Sequence, residues 1–292
     1  MDLLATLKNL FASKSGSQAK LPVINVEKRF DLMGRTGQGS MSKVWRARDK
    51  KTGKLVCLKV LDRVKTERFE ARFKGLKRPM EGAILTVLRH PNVVQTYEYG
   101  MTTAKEQYIV MELIEGMGLN FLIETRSPIV EQNRIEILRQ LADSLEYTHN
   151  AGYLHRDICP RNIMVTMELV VKLIDYGLAI PYKPEFCKPG NRTGTTNYMA
   201  PELIKRQTTD HRVDMFALGM TAFEMYTGAL PWEKASSEDT LRSHINTAGC
   251  DPRDIRAEID EKTARFLMKS VERDPKLRFQ NPADFRDALR EL

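Results

Sequence analysis

Tyr153-Leu154-His155-Arg156-Asp157-Ile158-Cys159-Pro160-Arg161-Asn162-Ile163-Met164-Val165 sets a carboxylate, two fixed cations, a helix-breaking proline and a carboxamide into one short loop. Apolar residues flank it on both sides, so the loop must be pinned against a core. Asp and Asn are common turn residues, and this pair alone would mean little. Its surroundings carry the reading. Downstream, Val171-Lys172-Leu173-Ile174-Asp175-Tyr176-Gly177 ends an apolar strand on an acid, directly before a glycine.

Upstream of the loop the pattern is strand-rich. Residues 29–33 lead into Gly37-Gln38-Gly39-Ser40-Met41-Ser42-Lys43-Val44, a glycine-rich turn between strands. Glycines there let backbone N–H groups approach phosphate without a Cβ in the way, and a plain hairpin reads equally well. Residues 44–48 alternate, 49–53 make a turn, and 55–61 form a β-branched strand. Lys59 inside that apolar strand either faces solvent or needs a charge partner. Glu81 is the expected partner, because it shares one helical face with Ile84, Leu85 and Leu88. That helix runs to about Leu88 and breaks at His90-Pro91-Asn92. Strands follow near 93–99 and 107–113. Beyond them a periodic helix covers 133–149 and a short strand 170–174. Residues 182–196 make a long loop, a length usually tied to function. Further helices are predicted at 213–227, 240–247, 257–271 and 282–292.

The chain has 292 residues and a net charge of 46 − 38 = +8. This size suits one large domain or two lobes with separate cores. A basic face attracts nucleotides, acidic proteins or anionic lipid, or is simply solvated. No dense basic tract, zinc-finger spacing or RNA-binding aromatic signature occurs, so nucleic acid is not expected as a partner. Cys57, Cys159, Cys187 and Cys250 lie far apart, which indicates neither a zinc site nor a disulfide framework and points to a reducing, cytoplasmic compartment. No secretory signal or membrane span is read. Leu3, Leu4, Leu7, Leu10 and Phe11 recur at helical spacing, and 12–20 reads as a linker. That helix either packs on the main domain or frays. Membrane or partner docking through residues 1–12 is its sharper use, although one short apolar face binds lipid weakly.

Taken together, these stretches resemble eukaryotic-type protein kinases, over about residues 30 to 292. The loop at 155–162 fits H-R-D-x-x-x-x-N, residues 37–44 fit G-x-G-x-x-G-x-V, Val56-Cys57-Leu58-Lys59 resembles V-A-I-K, and Asp175-Tyr176-Gly177 resembles D-F-G. Met199-Ala200-Pro201-Glu202 is similar to A-P-E. Asp214 to Gly219 resembles the helix that anchors the catalytic loop, and Arg278 is the expected buried partner of Glu202. Gly194-Thr195 is similar to the serine/threonine form of the peptide-positioning loop, with Thr195 packed near Asp157.

The resemblance implies an α+β, two-lobed fold. An extension over 1–28 precedes an N-lobe, about 29–112, with an antiparallel sheet and one main helix. A mainly helical C-lobe spans about 113–292. It implies transfer of the γ-phosphoryl of ATP to Ser/Thr hydroxyls of protein substrates, and the compact size fits a bacterial member. Asp157 would serve as base, Lys59 paired with Glu81 would position phosphates, and Asn162 and Asp175 would hold Mg²⁺. Gly37, Gln38, Gly39, Ser40 and Ser42 would cover the phosphates. Adenine would sit between Val44 and Cys57 above and Met164 below, with Met111 as gatekeeper and Glu112 and Ile114 at the hinge.

Three positions depart from the pattern. Ser42 replaces the third glycine, Tyr176 replaces Phe, and Cys159 stands where a Lys usually reaches the γ-phosphate. Cys159 and Ser42 keep open a pseudokinase acting as a nucleotide-binding scaffold. A small-molecule kinase is the other alternative, with residues 194–202 arguing against it. Cys159 is read as an inert thiol, with a reactive one, activated by Arg156, as the sharper alternative. The segment from Asp175 to Glu202 holds few apolar residues and is expected to be a switch. Thr193 is its expected phosphosite facing Arg156, with a Glu185–Arg156 pair as the unmodified alternative.

Overall fold

The computed structural model of the chain describes residues 21–39, 41–232 and 237–292. The expected helix and linker over 1–20, and Ser40, lie outside the described residues. Strand β1 (Val23–Ile24) and helix α1 (Val26–Arg29) lead into β2 (Phe30–Gly39), β3 (Ser42–Asp49) and β4 (Leu55–Leu61). Then come α2 (Arg63–Glu70), α3 (Glu81–Val87), β5 (Thr96–Thr102) and β6 (Gln107–Met111). The six strands form one sheet in the order β1-β5-β6-β4-β3-β2. Its ladders are antiparallel as expected, except that β1 joins β5 in parallel, Val23 opposite Met101.

Alternation along β4 divides the lobe. Val56, Leu58 and Val60 point into a core with Phe30, Tyr108 and Val110. Cys57, Lys59 and Leu61 therefore face the other way, toward α3 and the second lobe. On that side Ile84 and Leu85 of α3 join the main core of the molecule. The expected single main helix is α3, which carries Glu81. Helix α2 is an addition, capped by Asp62, which accepts from Lys65 N at 3.0 Å. It buries only Thr66 and Phe69, so no apolar period announces it.

The second lobe is mainly helical. It contains β7 (Gly116–Gly118), α4 (Leu119–Glu124), α5 (Pro128–Asn150), β8 (Tyr153–Leu154), β9 (Ile163–Thr166), β10 (Val171–Leu173) and β11 (Ile180–Pro181). Helices α6 (Pro201–Ile204), α7 (Arg212–Thr227), α8 (Ser237–Asn246), α9 (Pro252–Ile255), α10 (Glu261–Ser270) and α11 (Pro282–Leu289) complete it. Helix α5 starts earlier than predicted, at Pro128 behind its Ser127 cap, and it breaks at Asn133 (φ −129°, ψ 23°). The apolar period therefore becomes regular only after that kink. Among the described residues no helix is long and apolar enough to cross a membrane.

Helix α7 is the axis of this lobe, buried nearly all round from Val213 to Met225, as a helix without a polar face must be. Its Gly219 lies so close to α10 that a Cβ would come within 2.4 Å of the Ser270 carbonyl oxygen. The lobes meet where Asn92 donates to Gln140 Oε1 at 2.7 Å and to the Val171 carbonyl at 2.8 Å. Arg278 forks onto Glu202 with two 2.8 Å bonds. It also donates to the carbonyls of Glu272, Arg212 and Arg273 and packs over Phe216.

Removing one member of such a buried pair leaves the other charge without compensation. Glu202→Ala should lower the unfolding free energy by about 3–5 kcal/mol, read by urea denaturation. A loss well under 1 kcal/mol would mean that the carbonyls around Arg278 suffice without the carboxylate.

Candidate active site

Lys59 extends from β4 into the space between the lobes. Its Nζ donates to Glu81 Oε1 and to Asp175 Oδ1, both at 2.7 Å. Lys59 is 5% and Glu81 2% exposed. Burial alone would lower the Lys59 pKa, but Asp175 and Glu81 together outweigh it and hold the ammonium above the ordinary lysine range. Burial raises the Glu81 pKa, opposed by the Lys59 charge. For Asp175 the order is reversed: burial pushes up, yet Lys59 and the Gly177 N–H bring the carboxyl below its usual value.

Asp175 follows β10 in the left-handed region, at φ 61°. Its Oδ1 takes both Lys59 and the Gly177 N–H, the latter at 3.1 Å. Tyr176, in place of a phenylalanine, is fully buried, and its hydroxyl lies 2.8 Å from Thr148 Oγ1, so the extra polar atom is satisfied. Its ring meets His155 edge to face at 4.5 Å.

The loop after β8 is held from beneath by Asp214 on α7. Its Oδ2 accepts from the His155 N–H at 2.9 Å and its Oδ1 from the Arg156 N–H at 2.8 Å. These bonds secure Arg156 at φ 68°, a strained position for a non-glycine residue. Asp157 then projects upward. Its Oδ1 accepts from both Thr195 N and Thr195 Oγ1 at 2.8 Å. Its Oδ2 accepts from Asn162 Nδ2 at 2.9 Å. Thr195 is thus where the sequence reading put it. Gly194 beside it has φ 134°, and a Cβ there would come within 2.9 Å of the Arg156 carbonyl oxygen.

Cys159 is 1% exposed, with Sγ 3.8 Å from Thr195 Oγ1. Burial and the nearby Asp157 charge push its thiol up to about 11. It therefore stays protonated at neutral pH, which matches the inert reading rather than the reactive one.

The remaining predicted positions lie on the strands and connections around Lys59. Gly37, Gln38 and Gly39 pair with Val44, Lys43 and Ser42 in the β2–β3 ladder. Ser42, Lys59, Asp157 and Asp175 line one cavity of about 80 Å³. Val44 pairs with Lys59, and Cys57 with Met111. Glu112 takes Gln95 N and Lys172 Nζ on its carboxylate, both at 2.7 Å. Ile114 lies in the connection that follows, and Met164 on β9 pairs with Gly118. Val44, Cys57, Ile114 and Met164 are all half-buried.

Two features escaped the sequence reading. Arg78 donates to the carbonyls of Gly177 at 2.7 Å and Ala179 at 2.9 Å, and its guanidinium lies 4.8 Å from the Phe69 ring centroid. It stands among other lysines and arginines, and nothing in the chain marks it out. The segment after Asp175 is also better anchored than expected. Ile180, Phe186 and Cys187 pack with Phe69, Phe73 and Leu154. Arg156 bonds the Asn191 carbonyl at 2.8 Å and Thr209 Oγ1, rather than Glu185. Thr193, the expected phosphosite, is buried at 7% exposure.

Comparison with known proteins agrees with this geometry. The family model "Protein kinase domain" matches residues 30–289. A probable serine/threonine-protein kinase of Clostridium perfringens is 34% identical over 255 residues, covering 86% of this chain and 36% of that protein. Aurora kinase of Saccharomyces cerevisiae is 31% identical over 255 residues, covering 86% and 66%. Serine/threonine-protein kinase PknB of Mycolicibacterium smegmatis is 30% identical over 273 residues, covering 89% and 42%. The chain thus spans between about a third and two thirds of the length of these relatives. With a lysine bridging two carboxylates from different lobes, a strained loop held on a buried aspartate, and a family match over nearly its whole length, the chain belongs to the protein kinase family.

Proposed function

We propose that this chain is an ATP-dependent protein kinase acting on serine and threonine hydroxyls. The observation that carries this reading is the Lys59 ammonium, 2.7 Å from both Glu81 and Asp175, across the cleft from an Asp157 already oriented by Thr195 and Asn162. Asp157 positions the acceptor hydroxyl and takes its proton. Lys59, held by Glu81, binds phosphate oxygens. The half-buried residues Val44, Cys57, Ile114 and Met164, with Met111 and Glu112, hold the adenine, and residues 37–42 cover the phosphates.

The donor set suits a hard divalent cation. Asn162 gives its Nδ2 to Asp157, which leaves its carbonyl oxygen for a metal. Asp175 engages Lys59 and Gly177 through Oδ1, which leaves Oδ2. Among the described residues no three acidic, His or Cys side chains converge. Two protein oxygens completed by phosphate and water are what Mg²⁺ takes in phosphoryl-transfer sites. When bound, the nucleotide and its metal supply the phosphoryl group and neutralise its developing charge. The scaffold reading gains nothing from the site, since Lys59, Glu81, Asp157, Asn162 and Asp175 all meet there. Four free thiols accord with a cytoplasmic location.

The central test is phosphate transfer from labelled ATP with Mg²⁺ to a protein or peptide acceptor. Asp157→Asn should lower kcat by about a hundredfold or more. Wild-type transfer by that variant would sink the assignment. Arg78→Ala should lower kcat by on the order of tenfold, because two carbonyls beside Asp175 lose a charged donor. Arg78→Lys should recover only part of it, since one ammonium cannot reproduce the fork. Full activity of Arg78→Ala would show that the apolar cluster alone positions the segment. Cys159→Lys is expected to keep or raise kcat, because Asp157 and Thr195 offer oxygens to the new ammonium. A large drop with an unchanged melting temperature would show that the position is sterically closed.

A further inference from the structure

We infer that this chain selects protein segments carrying aspartate and glutamate close to the acceptor hydroxyl. The inference rests on the kinase reading and adds a substrate class to it. A cleft of about 470 Å³ opens between the turn at Ala71–Phe73 and the segment following Phe186. Arg72, Lys188, Arg192 and Arg206 line it against one carboxylate, Glu185. All four cations are exposed, and none has a carboxylate partner among the described residues. Exposed arginines elsewhere, such as Arg253 and Arg290, close onto Asp251 and Asp287.

The cleft lies beside the catalytic loop. Arg156 holds the Asn191 carbonyl, and Thr195 holds Asp157. Arg192 sits between these two anchors, and the three residues from it to Thr195 span at most about 11 Å. A substrate whose hydroxyl meets Asp157 therefore brings its near neighbours to this cleft. Within the catalytic loop itself, Arg161 is exposed between Pro160 and Asn162, four residues after Asp157. Cations thus stand both in the cleft beside Asp157 and in its own loop. That layout suits an extended acidic chain better than a single phosphate on the segment itself, and Thr193 is buried. Each exposed pair contributes little alone, but several in one groove add up and repel basic sequences.

The test uses the full chain after phosphatase treatment, with peptides that differ only in the three positions on each side of one serine. Acidic flanks should give a kcat/KM on the order of tenfold above neutral flanks, with basic flanks lower still, mostly through KM. The advantage should shrink as salt brings the Debye length below about 10 Å. Arg192→Glu with Arg206→Glu should remove or invert the preference. Lys51→Glu with Lys54→Glu, the same charge change on the distant β3–β4 turn, should not. If the first pair fails to fold, Arg161→Glu tests the loop cation instead. Equal kcat/KM on all three peptides, or equal loss of preference in the control, overturns this inference alone. No transfer to any peptide or protein would overturn the kinase reading with it.

Discussion

An ammonium buried between two carboxylates joins the two lobes. Lys59 comes from the sheet, Glu81 from the helix packed on it, and Asp175 from the other lobe. Neither Lys59 nor Glu81 is stable in that position alone, since an isolated buried charge costs several kcal/mol or more. Together they keep Lys59 charged and Asp175 ionised. The packing of α3 under β4, the end of β10 and the closeness of the lobes must all be correct for the bridge to exist. The active-site geometry and the interlobe arrangement are therefore one constraint.

A second buried carboxylate does for the catalytic loop what Lys59 does for the cleft. Asp214 accepts from two successive backbone N–H groups and lies 2.9 Å from His149 Nε2. Burial makes His155 hard to protonate, although Asp214 and Asp157 oppose that effect. A loop with one residue at positive φ persists only where its surroundings over-determine it. Here the fixing atoms sit on α7, a helix buried nearly all round. The loop inherits the rigidity of the core beneath it, as a reacting carboxylate requires.

The segment after Asp175 shows how placement can override composition. It is polar and rich in glycine and proline, which suggested weak anchoring. A few apolar residues in it nonetheless reach one satellite cluster, and Arg78 holds its backbone from the opposite lobe. Small numbers of long-range contacts thus give it one shape. The same fold places Lys188, Arg192 and Arg206 around a cleft, without carboxylate partners among the described residues, so the anchored segment also presents a charged surface.

The sequence by itself determined the order of the main strands and helices and marked the candidate site residues that sit in patterned stretches. Lys59 was legible because a lysine in an apolar strand demands a partner, and Glu81 because it shares an apolar helical face. Asp157, Asn162 and Asp175 were legible through their resemblance to kinase motifs. Tertiary structure alone decided the rest. Helix α2 buries too little to leave a period, the parallel strand β1 is two residues long, and Arg78 acts on carbonyls about a hundred residues away. The fate of Cys159 was likewise not in the chain, since a thiol's pKa depends on burial and on charges brought near it by folding. Periodicity and spacing record what a residue does within its own element. What it meets across the molecule depends on how those elements pack, and no local pattern encodes that.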